Sequence, residues 1–195
     1  MFFLRQPTDE TIRRFIAQQQ DKSYSYPSLG ATRDRAPHGY TVDHNHITLG
    51  KGYDTFRLAA TALQRWEMFN IGWLRLCWPT TPVVVGSTVG VLAHACGLWI
   101  FNACRIVYIV EEHGPVEKFG FAYGTLPAHV EQGEERFLVH WDQDDDSVWY
   151  DILAISRPRH VIAHLGYPYV RRLQKRFARD SLLAMRTAVR YSLRT

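Results

Sequence analysis

Cysteine is scarce: the 195-residue chain has three, at Cys77, Cys96 and Cys104. Their spacing matches neither a disulfide framework nor a zinc knuckle, and all three lie in apolar surroundings. The pattern reads as buried, reduced thiols in a cytoplasmic protein. Catalytic signatures are also missing. There is no Gly-x-Ser-x-Gly elbow, no reactive Cys beside a His, no phosphate loop and no dinucleotide fingerprint after a strand. The familiar nucleophilic hydrolases and nucleotide-binding enzymes are thereby set aside, and no cofactor is expected. Internal repeats and long linkers are absent too, so residues 1–195 read as one domain. Within it, residues 1–36 read as an N-terminal helix and irregular arm packed on the rest. The apolar part of Met1-Phe-Phe-Leu4 is too short for a signal peptide.

From Cys77 to Cys104 there is no Asp, Glu, Lys or Arg. That length could span a bilayer. Pro79, Pro82, Gly86, Gly90 and Gly97 interrupt it, and Val83 to Val91 is rich in β-branched residues. Two buried strands joined by a turn is the preferred reading. No transmembrane segment is therefore expected.

What the chain does have is aromatic surface: six Trp, ten Phe and ten Tyr, 13% of the residues. They can fill a large core or line a cavity. The net charge of +4 hides two opposite regions. Arg171 to Arg194 holds eight Lys or Arg and one acid, Asp180, whereas acids dominate from Glu111 to Asp151.

In chain order, Thr8 to Gln20 forms a helix capped by Thr8 or Asp9, with Ile12, Phe15 and Ile16 on one face. Tyr24 to Arg33 is irregular but apolar enough to be pinned onto the domain. Gly39 to Leu49 alternates as a first strand, with Tyr40, Val42, His44 and His46 on one side. Asp54 is the N-cap of a helix that runs to about Asn70 before Gly72. Strands follow at Trp73–Trp78, Val83–Ala93, Leu98–Glu112, Lys118–Leu126, Glu134–Trp141 and Ser147–Ile155, the last two joined by the charged turn Asp142 to Asp146. Short links make an antiparallel meander. Pro168 sits in the first turn of a closing helix to about Tyr191. Val170, Leu173, Phe177, Ser181, Ala184, Ala188 and Tyr191 form its inner stripe, with Arg172, Lys175, Arg179, Arg186 and Arg190 outside.

The fold class is α+β: a curved antiparallel sheet of about seven strands gripping a long C-terminal helix. This element order resembles the helix-grip fold of START and Bet v 1-like proteins. The motifs resemble a narrower group, the DUF1990 family, whose label denotes a domain of unknown function. Tyr26-Pro-Ser-Leu-Gly-Ala-Thr-Arg33, Leu49-Gly-Lys-Gly52, Phe119-Gly-Phe-Ala-Tyr-Gly-Thr-Leu-Pro127, Gly133-Glu-Glu-Arg-Phe137 and Ser156-Arg-Pro158 carry the resemblance. Members tend to show Pro-Gly-His-Pro-Glu where this chain has Pro127-Ala-His-Val-Glu131, so a Gly and a Pro are lost at a turn. The resemblance implies membership and brings no chemistry.

Candidate site residues follow from strand geometry. Glu134 and Glu135 open one strand and Arg157 ends its neighbour. Adjacent strand residues face opposite ways, so only one Glu can point into a cavity. An Arg beside a carboxylate could bind an anion or fix a general base, or could simply be an ion pair pinning the sheet end to the closing helix. Tyr123 and Thr125 share a face with Gly124 between them, and their hydroxyls could orient a polar ligand group; a core Tyr is the plainer reading. Trp66 and Trp73 join them as aromatic candidates, and His129 is read as a solvated loop residue. His44 and His46 have metal-like spacing without a third ligand, so they read as solvent-facing or cross-strand His, and no metal is assigned.

The functional expectation is a cavity between sheet and closing helix that binds an apolar or aromatic small molecule. Alternatives are a cyclase, hydrolase or isomerase in the same cavity, or an interaction protein using the basic helix. Exposed Arg on a closing helix is ordinarily a solvated face. Nucleic acid is therefore not expected as a partner, while peripheral membrane contact stays open. Composition leaves the oligomeric state open.

Overall fold

The structure, a computed structural model, describes residues 1–95, 97–158 and 167–193. Its elements are β1 (Phe2–Phe3), α1 (Asp9–Gln20), β2 (Thr41–Lys51), α2 (Tyr53–Gln64), a 3-10 turn (Glu67–Phe69), β3 (Leu74–Cys77), β4 (Thr88–Ala95), β5 (Leu98–Glu112), β6 (Val116–Thr125), β7 (Glu131–Asp142), β8 (Ser147–Pro158) and α3 (Tyr167–Ser192). The sheet order is β2-β8-β7-β6-β5-β4-β3, and each neighbouring pair is antiparallel. The long helix α3 lies against the sheet beside α2. This is the helix-grip arrangement expected from the element order.

The two-residue β1 was not foreseen. It pairs Phe2 with Ile100 and Phe3 with Trp99, beyond the point where β6 begins to pair with β5 at Cys104. It thereby supplies backbone partners to a stretch of β5 that β6 does not reach. The terminal ammonium joins in, donating to the Phe101 carbonyl at 2.8 Å.

Alternation along the strands creates two cores. One lies between the sheet and α2, the 3-10 turn and α3; Val91, Ile106, Phe121, Phe137 and Tyr150 meet Leu63, Met68 and Met185 there. The other lies under α1, where Ile12, Phe15 and Ile16 pack on Leu92, Phe101 and Ala103. Val91 and Leu92 are adjacent on β4 and so belong to opposite faces.

Several local expectations need correction. The helix after β2 starts two residues earlier than an Asp54 cap requires: its N-cap is Gly52 at φ 85°, without a side-chain cap. Asp54 falls inside the first turn, where its charge favours the helix dipole. The same helix stops at Gln64, because Trp66 takes a left-handed φ of 59°. That break lets the buried Trp66 donate Nε1–H to the Thr81 carbonyl at 2.9 Å and set its ring edge-on to Phe121. Met68 and Phe69 then reach the core from the 3-10 turn. β4 begins at Thr88, not Val83: Val84 and Val85 are 52% and 62% exposed, ahead of Gly86 at φ 89°. The buried stripe of α3 runs through Ala178, Ser181, Met185 and Val189 in steps of three and four, and Tyr191 is 70% exposed. Thr8 does cap α1, accepting from the Thr11 N–H. No described helix is long and apolar enough to cross a membrane.

Candidate functional site

A cavity of about 1010 Å³ lies between the sheet and the N-terminal half of α3. Leu173 and Phe177 of α3 border it, opposite Val91, Ile100 and Ile152 of the sheet, with Trp73 also at its wall. Beyond Ala178 the helix contributes nothing to the cavity, because it packs tightly there: Ser181 meets the Tyr150 hydroxyl at 3.1 Å. The lining is mostly aliphatic and aromatic.

Polar residues interrupt it in places, two carboxyls among them. Tyr123 of β6 donates its hydroxyl to Glu135 Oε2 of β7 at 2.7 Å, and these two residues are direct cross-strand partners. Glu131, on the same face of β7, accepts from Gln174 Nε2 of α3 at 2.6 Å. Gln174 also donates to Ser156 Oγ at 3.0 Å, and its Oε1 accepts from Arg171 Nη1 at 2.6 Å. Arg171 in turn grips both carboxylate oxygens of Asp43 on β2. The helix is thus tied to β2, β7 and β8 along one polar line.

Burial dominates the electrostatics. It pushes the Glu135 carboxyl up to about 7; the Tyr123 hydrogen bond pulls the other way, and the charges of Glu131 and Asp43 add to the rise. Glu135 lies deep in the molecule yet keeps part of its surface open to the cavity. Glu131 is also raised to about 7 by burial, partly offset by Gln174 and Arg171. Its Oε1 is buried without a hydrogen-bond partner. Burial likewise lifts the Tyr123 hydroxyl and the Cys104 thiol well above their usual ranges, which leaves Cys104 a poor nucleophile.

The expected residues divide. Tyr123, Thr125, Glu134, Glu135 and Trp73 border the cavity, although the Glu134 carboxylate is engaged by the arm on the other face. The Thr125 hydroxyl is already engaged, accepting from Gly133 N–H at 2.9 Å and meeting Ser25 Oγ at 2.6 Å. Trp73 donates Nε1–H to Asp180 at 3.0 Å and carries the Arg176 guanidinium 4.6 Å from its ring centre. Trp66 is a core residue, as described above.

Glu134 serves the opposite face. It is 3% exposed and receives the Tyr26 hydroxyl at 2.7 Å, the Gly30 N–H at 2.8 Å, the Thr32 N–H at 3.0 Å and the Thr32 hydroxyl. Its work is to hold the arm from Tyr24 to Arg33 against the sheet. Arg157 pairs with neither Glu: it stacks 4.6 Å from the Tyr40 ring centre and donates Nε–H to the Gln132 amide oxygen at 2.7 Å. The reason is strand alternation, which turns residues 132, 134 and 157 away from the side that holds Glu131 and Glu135.

His44 contacts Asp151 across the strands, and the His46 ring meets Trp149 edge-on at 5.5 Å. Among the described residues no group of three His, Cys, Asp or Glu could hold a metal. Cys96 lies outside the described residues. His129 borders the cavity and accepts the Glu131 N–H at 3.0 Å through Nδ1, so it is half-buried rather than solvated.

Sequence reasoning missed Glu131, Gln174, Arg171 and Asp43. One signal was available for Glu131: it stands an even number of residues from Glu135 along one strand.

A family model described as a domain of unknown function, DUF1990, matches residues 25–184. The chain belongs to the DUF1990 family. The matched span takes in most of the arm that Glu134 holds and all of the cavity wall except Phe2. A UPF0548 protein of Dictyostelium discoideum is 36% identical, covering 97% of this chain and 96% of that protein. A UPF0548 protein of Arabidopsis thaliana is 35% identical over 73% of this chain and 70% of its own length. Among solved structures, that of Ara h 8.0201 covers 77% of this DUF1990 chain and 98% of its own at 10% identity and a TM-score of 0.46, a likeness of overall arrangement and no more.

Proposed function

We propose that this DUF1990 protein binds an apolar or aromatic small molecule in the cavity beneath the N-terminal half of α3. The observation that supports the reading most is the cavity itself: about 1010 Å³, apolar over most of its wall, with the helix above it anchored at one end by tight packing. Transfer of an apolar molecule into such a space is driven by removal of its surface from water, on the order of 25 cal/mol per Å². The few polar groups on the wall would fix its orientation.

The test uses N-phenylnaphthylamine, a neutral probe that fluoresces in apolar surroundings. Saturable enhancement with a stoichiometry near one is expected. Ala93→Trp, which fills the cavity from β4, should weaken binding by at least about tenfold while far-UV circular dichroism stays unchanged. Ala154→Trp fills it independently from β8. Absence of saturable enhancement, or indifference to both substitutions, would overturn the reading.

A further inference from the structure

We propose that the ligand of this cavity carries a protonated amine on its apolar body, the amine docking on Glu131 with Glu135 supplying a second negative charge. The proposal rests on the reading that the cavity binds a small molecule, and it names the head group.

The argument begins with an imbalance. Glu131 and Glu135 border one apolar cavity, and among the described residues neither forms an ion pair with a Lys or Arg. The nearby guanidinium of Arg171 is spent on Asp43, whose two oxygens it grips. Glu131 is 8% exposed, and one of its oxygens is taken by Gln174 while the other, Oε1, has no donor. A buried carboxylate oxygen without a donor is costly, of order 1–3 kcal/mol or more. A bound N–H donor removes that cost.

A cation does more than a neutral donor. Each of the two carboxyls is pushed up to about 7 by burial, and the charge of Glu131 raises Glu135 further. A positive charge inside the cavity reverses this, because it favours the ionised form of both. An anionic head group meets two like charges and is rejected. A neutral alcohol satisfies the empty oxygen and leaves the charges uncompensated. The apolar wall selects the body, and the two carboxyls select the head.

Other titratable groups face the same space. They are Asp43 and His44 from β2, Cys104 from β5, Tyr123 from β6, His129 from the turn before β7, Glu134 from β7, and Tyr169, Arg171 and Lys175 from α3. Tyr150 of β8 lies close enough to feel Glu135. Of these, Tyr123 and Cys104 are held neutral by burial, and Tyr150 likewise.

The experiment compares three probes with one apolar body: naphthylethylamine, naphthylethanol and naphthylacetate, titrated by calorimetry at about pH 8. The amine is expected to bind at least about tenfold tighter than the alcohol, and the acid more weakly than either. Glu131→Gln should bring the amine to within about threefold of the alcohol. Lowering the pH to about 5.5 should shrink the preference in the parent, because the carboxyls protonate while the amine stays charged. Equal binding of amine and alcohol, or a preference that survives both Glu131→Gln and Glu135→Gln, would sink the amine proposal and leave the small-molecule reading standing. Failure of all three probes in a protein that also ignores N-phenylnaphthylamine would remove both.

Discussion

Tyr26 donates its hydroxyl to Glu134 Oε2 at 2.7 Å, joining residues 108 positions apart. The same carboxylate collects two backbone N–H groups and the Thr32 hydroxyl from the arm. Removing it takes an acceptor from four donors at once. Glu134→Ala should therefore destabilise the fold by about 3–5 kcal/mol, read by urea unfolding. Tyr26→Phe removes one donor and should cost only about 1–2 kcal/mol. Equal stability of Glu134→Ala and the parent would show that the arm is not held there.

Gly124 lies under the Tyr26 ring. A Cβ at this position would sit 2.3 Å from the Tyr26 hydroxyl oxygen and 2.8 Å from a ring carbon. Gly124→Ala should displace the ring and cost about 1–3 kcal/mol. Because both changes act on one contact, Gly124→Ala combined with Tyr26→Ala should cost less than the sum of the two, a non-additivity that a double-mutant cycle measures. Strict additivity would argue against the clamp.

Stability should depend on pH through Glu131 and Glu135. Both titrate at about 7 when folded, against an ordinary value of 4.5. Between those values the folded protein holds more protons than the unfolded chain, so stability falls as pH rises through the window and levels off above it. Glu131→Gln/Glu135→Gln should flatten that fall by a few kcal/mol when unfolding is compared at about pH 5 and about pH 8. His140, whose pKa burial lowers, acts in the opposite sense in both proteins and cancels in the comparison. An unchanged slope in the variant would refute the assignment.

Trp73 and Trp66 should separate by spectroscopy. Trp73 borders the cavity, whereas Trp66 is enclosed by Phe121 and the Thr81 carbonyl. Trp73→Phe should abolish most of the fluorescence change caused by a cavity ligand and leave the fold intact. Trp66→Ala should cost about 3–5 kcal/mol. A ligand signal that survives Trp73→Phe would place the ligand elsewhere.

Much of the architecture was legible in the sequence because it is local. The alternation of Tyr40, Val42, His44 and His46 sets one strand face, and the turn residues around Asp142 to Asp146 set a hairpin. Which face becomes the inside is not local. Adjacent Glu134 and Glu135 are chemically identical, and their roles separate only when the arm carrying Tyr26 and Thr32 lands on one side of the sheet and Phe177 on the other. Glu131 and Gln174, 43 positions apart, meet only after α3 has docked. Trp66 shows the same limit. Its helical spacing is sound, yet the pull of Phe121 and Thr81 turns the backbone out of the helix.

The position of β2 bears on how the chain is made. Its partner in the sheet is β8, so that His44 and Asp151, which touch across the two strands, are 107 positions apart. During synthesis β2 leaves the ribosome long before β8 and must wait for it with its hydrogen-bonding edge unpaired. The later strands, β3 to β8, pair with immediate neighbours and can form as they emerge. Addition of β2 to the sheet is then a late event, and the helix that roofs the cavity comes after it. A nascent chain halted before β8 would carry an open strand edge, the part of this protein most in need of a chaperone.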